Sequence, residues 1–246
     1  MTKLNLSVIK LNNNKSPIDE LTLNLVGIYL IICLVLCLVL NAILLLVFKR
    51  HKKLRTCLNM LILVMTVFNL VGSTEFPFMI LNNFSDKWVW SELVCLITGF
   101  IHVFIGSFQS HSIAALSYLR LVIVRKSNNS ELISKKKALW KAFLICFILS
   151  LFWALCPLVG WSYYSVEEHM LSCSIAHDEK NLNVVTYNIC AFVFGFILPS
   201  CITIYTNLKS ILLARRLRQI EPSLKNYKIL KNDKKVTINI LIYICK

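Results

Sequence analysis

Apolar side chains run along this chain in long unbroken stretches, and polar residues collect between them. The stretches are roughly Asn24–Phe48, Leu58–Leu81, Leu93–Val124, Leu139–Trp161 and Asn183–Ala214, with a sixth beginning at Val236. A helix that crosses a bilayer needs about 20 mostly apolar residues. Five stretches reach that length, and the sixth, read to Lys246, does not. Inside hydrocarbon the backbone must bond to itself, which favours helices. Alternation of period two, the mark of a membrane barrel, is absent. The pattern therefore predicts an all-α transmembrane bundle. A polar, Asn-rich segment, 1–23, precedes a single membrane domain, 24–246. Residues 1–20 lack an apolar stretch after a basic start, so no cleavable signal peptide is expected.

The polar connections carry a charge pattern. The links between stretches one and two, three and four, and five and six, with Arg120, Lys141 and Lys209 at the stretch ends beside them, hold 21 basic residues and three acids, Glu131, Glu221 and Asp233. The N-terminal segment and the alternate links hold five basic residues and eight acids. Positive-inside bias then places the basic links in the cytoplasm and the N-terminus outside the cell. The net charge of +15 is mostly this topological signal. It also suits contact with anionic lipid or a cytoplasmic partner, and no nucleic-acid partner is expected.

Composition narrows the class. The chain is 57% hydrophobic and 16% charged, with a mean hydropathy of +0.67. Soluble domains carry about 25% charged residues, so a soluble enzyme and a disordered tail are poor fits. Most of the ten cysteines lie inside apolar stretches, where Cys behaves as a small hydrophobe. Metal-ligand spacing, a phosphate loop and a Ser–His–Asp arrangement are all missing, and nothing reads as enzymatic.

A few residues stand out. Cys95 and Cys173 both fall on the outer, oxidising side, where disulfides persist. A bridge between them would fold the outer loop over the bundle, and the alternative is two unrelated thiols. The third stretch is the most polar, with Thr98, His102, Ser107, Gln109, Ser110, His111, Ser112 and Ser117. Polar groups at membrane depth line pockets or bond neighbouring helices. His102 is the pocket candidate, and the serines read as helix–helix bonds. Glu75 lies two residues before Pro77, either as a buried counter-charge or as a protonated acid bonded to a neighbouring helix. Glu167 and Glu168 precede Cys173 in the outer loop and, by position alone, read as exposed. Asn41 and Asn69 are placed for interhelical hydrogen bonds. The sequons at Asn5, Asn14 and Asn83 lie on the outer side as glycosylation candidates, whereas Asn128 lies on the inner side.

Several motifs together resemble those of rhodopsin-type G-protein-coupled receptors, and more narrowly animal opsins of the non-visual, peropsin-like or bistable groups. The likeness runs from about residue 25 to 246. It includes Asn41, the segment Leu54–Leu63 entering the second helix, Trp88, Cys95, the run Ala115–Arg120, Pro199 and Lys235-Val236-Thr237. Its most specific part is Pro157-Leu158-Val159-Gly160-Trp161-Ser162, followed by Cys173-Ser174-Ile175. The resemblance implies a seven-helix receptor, present here as five complete helices and part of the sixth. It implies a multi-pass protein of the plasma membrane that binds retinal and activates a heterotrimeric G protein. Dimerisation is left open.

By the same resemblance, Glu167 matches the loop glutamate that serves as counterion to a protonated retinylidene Schiff base. Thr98 stands where vertebrate visual pigments carry their counterion. His102, Gly106, Tyr164, Ser172, Ile175, Gly195 and Phe196 match retinal-pocket positions, and Arg120 matches the G-protein-coupling arginine. Departures accompany the matches. Leu119 and Leu121 flank Arg120 in place of the usual acid and aromatic residue. Asn69 replaces the second-helix aspartate, Asn207 the fifth-helix tyrosine and Phe147 the fourth-helix tryptophan. Without the acid beside Arg120, raised basal activity or poor coupling is expected. The family's retinal-bonding lysine lies in helix seven, beyond the segment matched here, so the chain is expected to be a fragment or a degenerate member. A retinal photoisomerase, a receptor for a diffusible ligand and a non-signalling truncated receptor are the alternatives.

Overall fold

The computed structural model describes residues 19–55, 57–125, 132–167, 171–177 and 180–220. Asn5, Asn14, Glu168 and the sixth stretch, with Lys235 to Lys246, lie outside them. Among the described residues, five helical segments are long and apolar enough to cross a membrane: Glu20–Arg50, Leu58–Ser85, Glu92–Val122, Lys137–Val159 and Leu182–Leu213. They coincide with the five predicted stretches.

Helix α1 (Glu20–Arg50) begins four residues before the predicted Asn24 because Asp19 caps it. The Asp19 carboxylate accepts from Thr22 N at 3.1 Å and from Thr22 Oγ1 at 2.7 Å. These bonds hold its carboxyl below the usual value, the side-chain bond contributing most. Glu20 in the first turn and Lys49 and Arg50 in the last complement the helix dipole. At the inner end the Arg55 guanidinium donates to the carbonyls of Phe48 (3.0 Å) and Lys49 (3.2 Å), which have no intrahelical partner.

The second stretch is not one continuous helix. Helix α2 (Cys57–Gly72) stops, and α3 (Glu75–Ser85) starts after a turn at Ser73 and Thr74. Pro77 has no N–H to continue the ladder. The hydroxyls of Ser73 and Thr74 instead donate to the carbonyls of Leu70 and Val71, each at 2.7 Å. This break sets the first turn of α3, and with it Glu75, against the third span.

That span is α4 (Glu92–Arg125), the axis of the bundle. It packs against α2, α5 (Leu132–Leu155), the outer hairpin and α7 (Leu198–Ile220). Lipid chains are as apolar as leucine, so close packing and internal polar bonds must hold such helices together. Both are present. Phe68 meets Phe108 edge-on at 4.6 Å, and Phe104 meets Phe147 at 5.3 Å. Amides join the first three spans. Gln109 Nε2 donates to Asn69 Oδ1 (2.9 Å) and Met65 O (3.0 Å). Asn69 Nδ2 donates to Asn41 Oδ1 at 3.3 Å. Asn41 and Asn69 thus make the interhelical bonds expected of them.

On the outer side, α5 runs into a 3₁₀ turn, Cys156–Val159, closed by Gly160 at φ 99°, a left-handed conformation that glycine adopts freely. Strands β1 (Tyr164–Val166) and β2 (Cys173–Ile175) then form an antiparallel hairpin, pairing Tyr164 with Ile175 and Val166 with Cys173. The fifth span is compound. Helix α6 (Leu182–Phe192) passes through a π-helical turn, Val193–Ile197, into α7, with Pro199 at its start.

Candidate functional site

The site begins with a covalent tie. Cys95, in the first turn of α4, is bonded to Cys173 at the start of β2, with Cα atoms 5.2 Å apart. The bridge lays the hairpin across the outer end of α4. Cys95, Tyr164 and Cys173 form a buried cluster packed by Trp88, Leu96, Phe100, Val103, Leu158, Val166 and Ile175. Tyr164 is only 1% exposed, and its hydroxyl donates to Ala154 O at 2.8 Å. Burial pushes that hydroxyl well above the ordinary tyrosine value. Its ring lies so near Gly99 that a Cβ there would stand 2.7 Å from Tyr164 Cδ1. Bare backbone at position 99 is thus what admits the tyrosine.

The hairpin carries the first carboxylate. Glu167 follows β1 directly, and its N–H donates to Ser172 O at 3.0 Å. Ser172 Oγ donates to Glu167 Oε2 at 2.7 Å, and both residues are half-buried. The exposed placement read from position alone is therefore corrected. The hairpin leaves Glu167 partly covered.

A second carboxylate comes from the break in the second span. His102 Nδ1 lies 3.0 Å from Glu75 Oε2, and the Glu75 side chain is 15% exposed against 67% for His102. The other carboxylate oxygen, Glu75 Oε1, is buried without a hydrogen-bond partner among the described residues. The charges of Glu75 and Glu167 both act on the His102 ring. The structure thus pairs His102 with Glu75 between two spans, and Ser172 with Glu167 on the bridged hairpin.

The remaining predicted positions are placed as follows. A Cβ on Gly106, further along α4, or on Gly195 would meet nothing within 4 Å, so both backbones border open space. Ile175 pairs with Tyr164 and packs on two buried clusters. Phe196 lies on the π-helical turn and stacks on Phe192 at 5.6 Å. Arg120 sits in the last turns of α4, far along the chain from the hairpin contacts.

The glycosylation candidate Asn83 is placed away from solvent. Asn83 is 3% exposed, within α3, and its Nδ2 donates to Leu23 O at 2.8 Å. That nitrogen is the atom a glycan would have to take, so the Asn83 sequon is closed in this fold. One contributor had no mark in the sequence, and another had only an indirect one. Asn82 is 1% exposed, donates through Nδ2 to Leu171 O at 3.0 Å and accepts from Val89 N at 3.3 Å, tying both outer loops together. The Glu75–His102 contact was signalled only indirectly, by two ionisable groups at membrane depth, each lacking a named partner.

Comparison with known proteins agrees with this architecture. A family model described as "7 transmembrane receptor (rhodopsin family)" matches residues 40–245. Compound eye opsin BCRH1 of Hemigrapsus sanguineus is 27% identical over 195 residues, covering 78% of this chain and 52% of that protein. The G0-coupled rhodopsin of Mizuhopecten yessoensis is 28% identical over 183 residues, 74% of this chain and 46% of its own length. Opsin Rh1 of Calliphora vicina is 30% identical over 167 residues, covering 68% and 45%. The chain spans about half the length of the curated relatives it matches. The crystal structure of squid rhodopsin superposes with a TM-score of 0.73 over 82% of this chain and 55% of that one, at 24% identity, a likeness of fold. The matched proteins are receptors and opsins rather than enzymes. With the bridged hairpin, the five spans and these matches taken together, the chain belongs to the rhodopsin family of seven-transmembrane receptors.

Proposed function

We propose that this chain serves in a retinal-binding photoreceptor that signals through a heterotrimeric G protein. The observation that carries the reading is Glu167, half-buried and bonded to Ser172 on the hairpin that the Cys95–Cys173 bridge ties to α4. A carboxylate withdrawn from water favours a protonated, cationic partner nearby. Residues around it fit an elongated apolar ligand with one cationic nitrogen. Gly106 and Gly195 border open space, and Glu75 Oε1 is a buried acceptor with no donor. Retinal, when bound, supplies the light absorption and the change of double-bond geometry.

The chain's own residues have three tasks in this reading. Glu167, oriented by Ser172, holds the compensating negative charge. The bridged hairpin restricts water at the outer mouth. Arg120 and the basic inner links, with the N-terminus outside the cell and the chain in the plasma membrane, face the G protein. Light then shifts the population of helix arrangements through differential contacts with the ligand. A second reading, retinal isomerisation with weak signalling, is favoured by Leu119 and Leu121, which flank Arg120 with apolar side chains.

The test uses the chain in lipid nanodiscs with a preformed probe, the n-propylamine imine of 11-cis retinal. Uptake with a visible absorption band at neutral pH is expected, and Glu167→Gln should move the band toward the near ultraviolet as the imine loses its proton. Absence of uptake, or an unchanged band in the variant, overturns the assignment. Flash-driven nucleotide exchange on a G protein, against release of isomerised retinal, separates the two readings.

A further inference from the structure

We infer that Glu75 and His102 form a second charge site in the pocket, in which the proton on His102 decides whether Glu75 acts as an additional counter-charge to a bound cation. The inference rests on the retinal reading above and extends it to residues outside the hairpin.

The placement of Glu75 is specific to this chain's backbone. The break at Ser73 and Thr74 puts Glu75 at the first residue of α3, where the helix dipole favours a carboxylate. A carboxylate at membrane depth is costly unless it is paired. His102 partners one oxygen at 3.0 Å and leaves Oε1 buried and without a donor among the described residues. The pair is therefore incomplete on the carboxylate side. The imidazole is 67% exposed.

Charge counting gives the consequence. The charged groups acting on His102 are Glu75 from α3 and Glu167 from the end of β1. Among the described spans, Asp, Glu, Lys and Arg are otherwise absent from the outer half except at Glu20 and Glu92, the first residues of α1 and α4. With His102 protonated, the Glu75–His102 pair is neutral and Glu167 alone faces a ligand cation. With His102 neutral, two carboxylates face it. An opposite charge within ~4–6 Å moves a protonation midpoint by about one to three pH units, so the two states present different environments to the same ligand.

The test follows the pH at which half of the bound n-propylamine retinal imine is protonated, read as the visible band converts to the near-ultraviolet band. Glu75→Gln keeps a hydrogen-bond acceptor for His102 but removes the charge, and should lower the midpoint by about one pH unit or more. Glu75→Asp keeps the charge and should stay near the wild type. His102→Gln removes the compensating cation and should raise the midpoint. A contact that only joins two helices would move both midpoints in the same direction. In the unliganded chain, ¹⁵N spectra of the His102 ring should carry a carboxylate-bonded signature that Glu75→Gln removes. Failure of the wild-type chain to take up the imine overturns the retinal reading and this inference with it. Uptake with equal midpoints in wild type and Glu75→Gln, or an unaltered His102 ring spectrum, overturns this inference alone.

Discussion

Tyr164 shows how one residue holds the outer plug in place. Its ring fills the space above Gly99, its hydroxyl is committed to Ala154 O, and it backs directly onto the disulfide. Because burial raises its folded value above that of an unfolded tyrosine, the fold is stabilised while the hydroxyl stays protonated. That contribution is whole below the unfolded tyrosine value of about 10 and is lost as pH rises toward the folded one. Alkaline titration followed by near-ultraviolet circular dichroism should therefore release the hairpin above about pH 10. Tyr164→Phe, having no proton to lose, should abolish that transition while lowering stability at neutral pH by about 1 kcal/mol.

At the scale of elements, the amide chain Gln109–Asn69–Asn41 joins three helices without a formal charge. Asn69→Asp would set a carboxylate oxygen where Asn69 Nδ2 now donates to Asn41 Oδ1. Thermal unfolding in detergent should show a loss of about 1–3 kcal/mol, shrinking as the pH falls and the new carboxyl regains a proton to donate. The five spans were legible because hydrophobic length is a local property, and the flanking charges of the inner links reinforced it. The break in the second span was signalled by Pro77 but not located, since Ser73 and Thr74 carry no break signal until their hydroxyls are seen to bond back to Leu70 and Val71. Asn82 was silent for another reason. Both its partners, Leu171 and Val89, lie in loops whose approach depends on the bridge and the hairpin. Glu167 reads as solvated by position and as inward only through the resemblance. The physical cause, a hairpin closed by Ser172, is a tertiary contact.

For the whole molecule, the Asn83 sequon separates sequence pattern from accessibility. The acceptor triplet is intact, yet the amide is inside the bundle and bonded to the first helix. Glycopeptide mapping of the chain expressed in animal cells should find Asn83 bare. A glycan there would require α3 to leave its seat beside α1, where Gly27 already leaves too little room for a Cβ, 2.7 Å from Asn83 Nδ2.

The π-helical turn at Val193–Ile197 has its own consequence for the fifth span. A wide turn holds one residue more than an α-helical turn, and one residue is about 100° of rotation. Everything inward of Ile197 is therefore out of phase with α6, so a helical wheel drawn through the span from Leu182 assigns its inner half to the wrong sides. Thr206, buried and bonded to Ile202 O at 2.7 Å, and Tyr205, exposed with Lys209 Nζ 4.5 Å from its ring centroid, owe their directions to that offset. Removing one residue from the wide turn would swing the part of this helix beyond Ile197 by more than a quarter of a revolution, while leaving α6 and the bond from Asn188 Nδ2 to Ala176 O untouched.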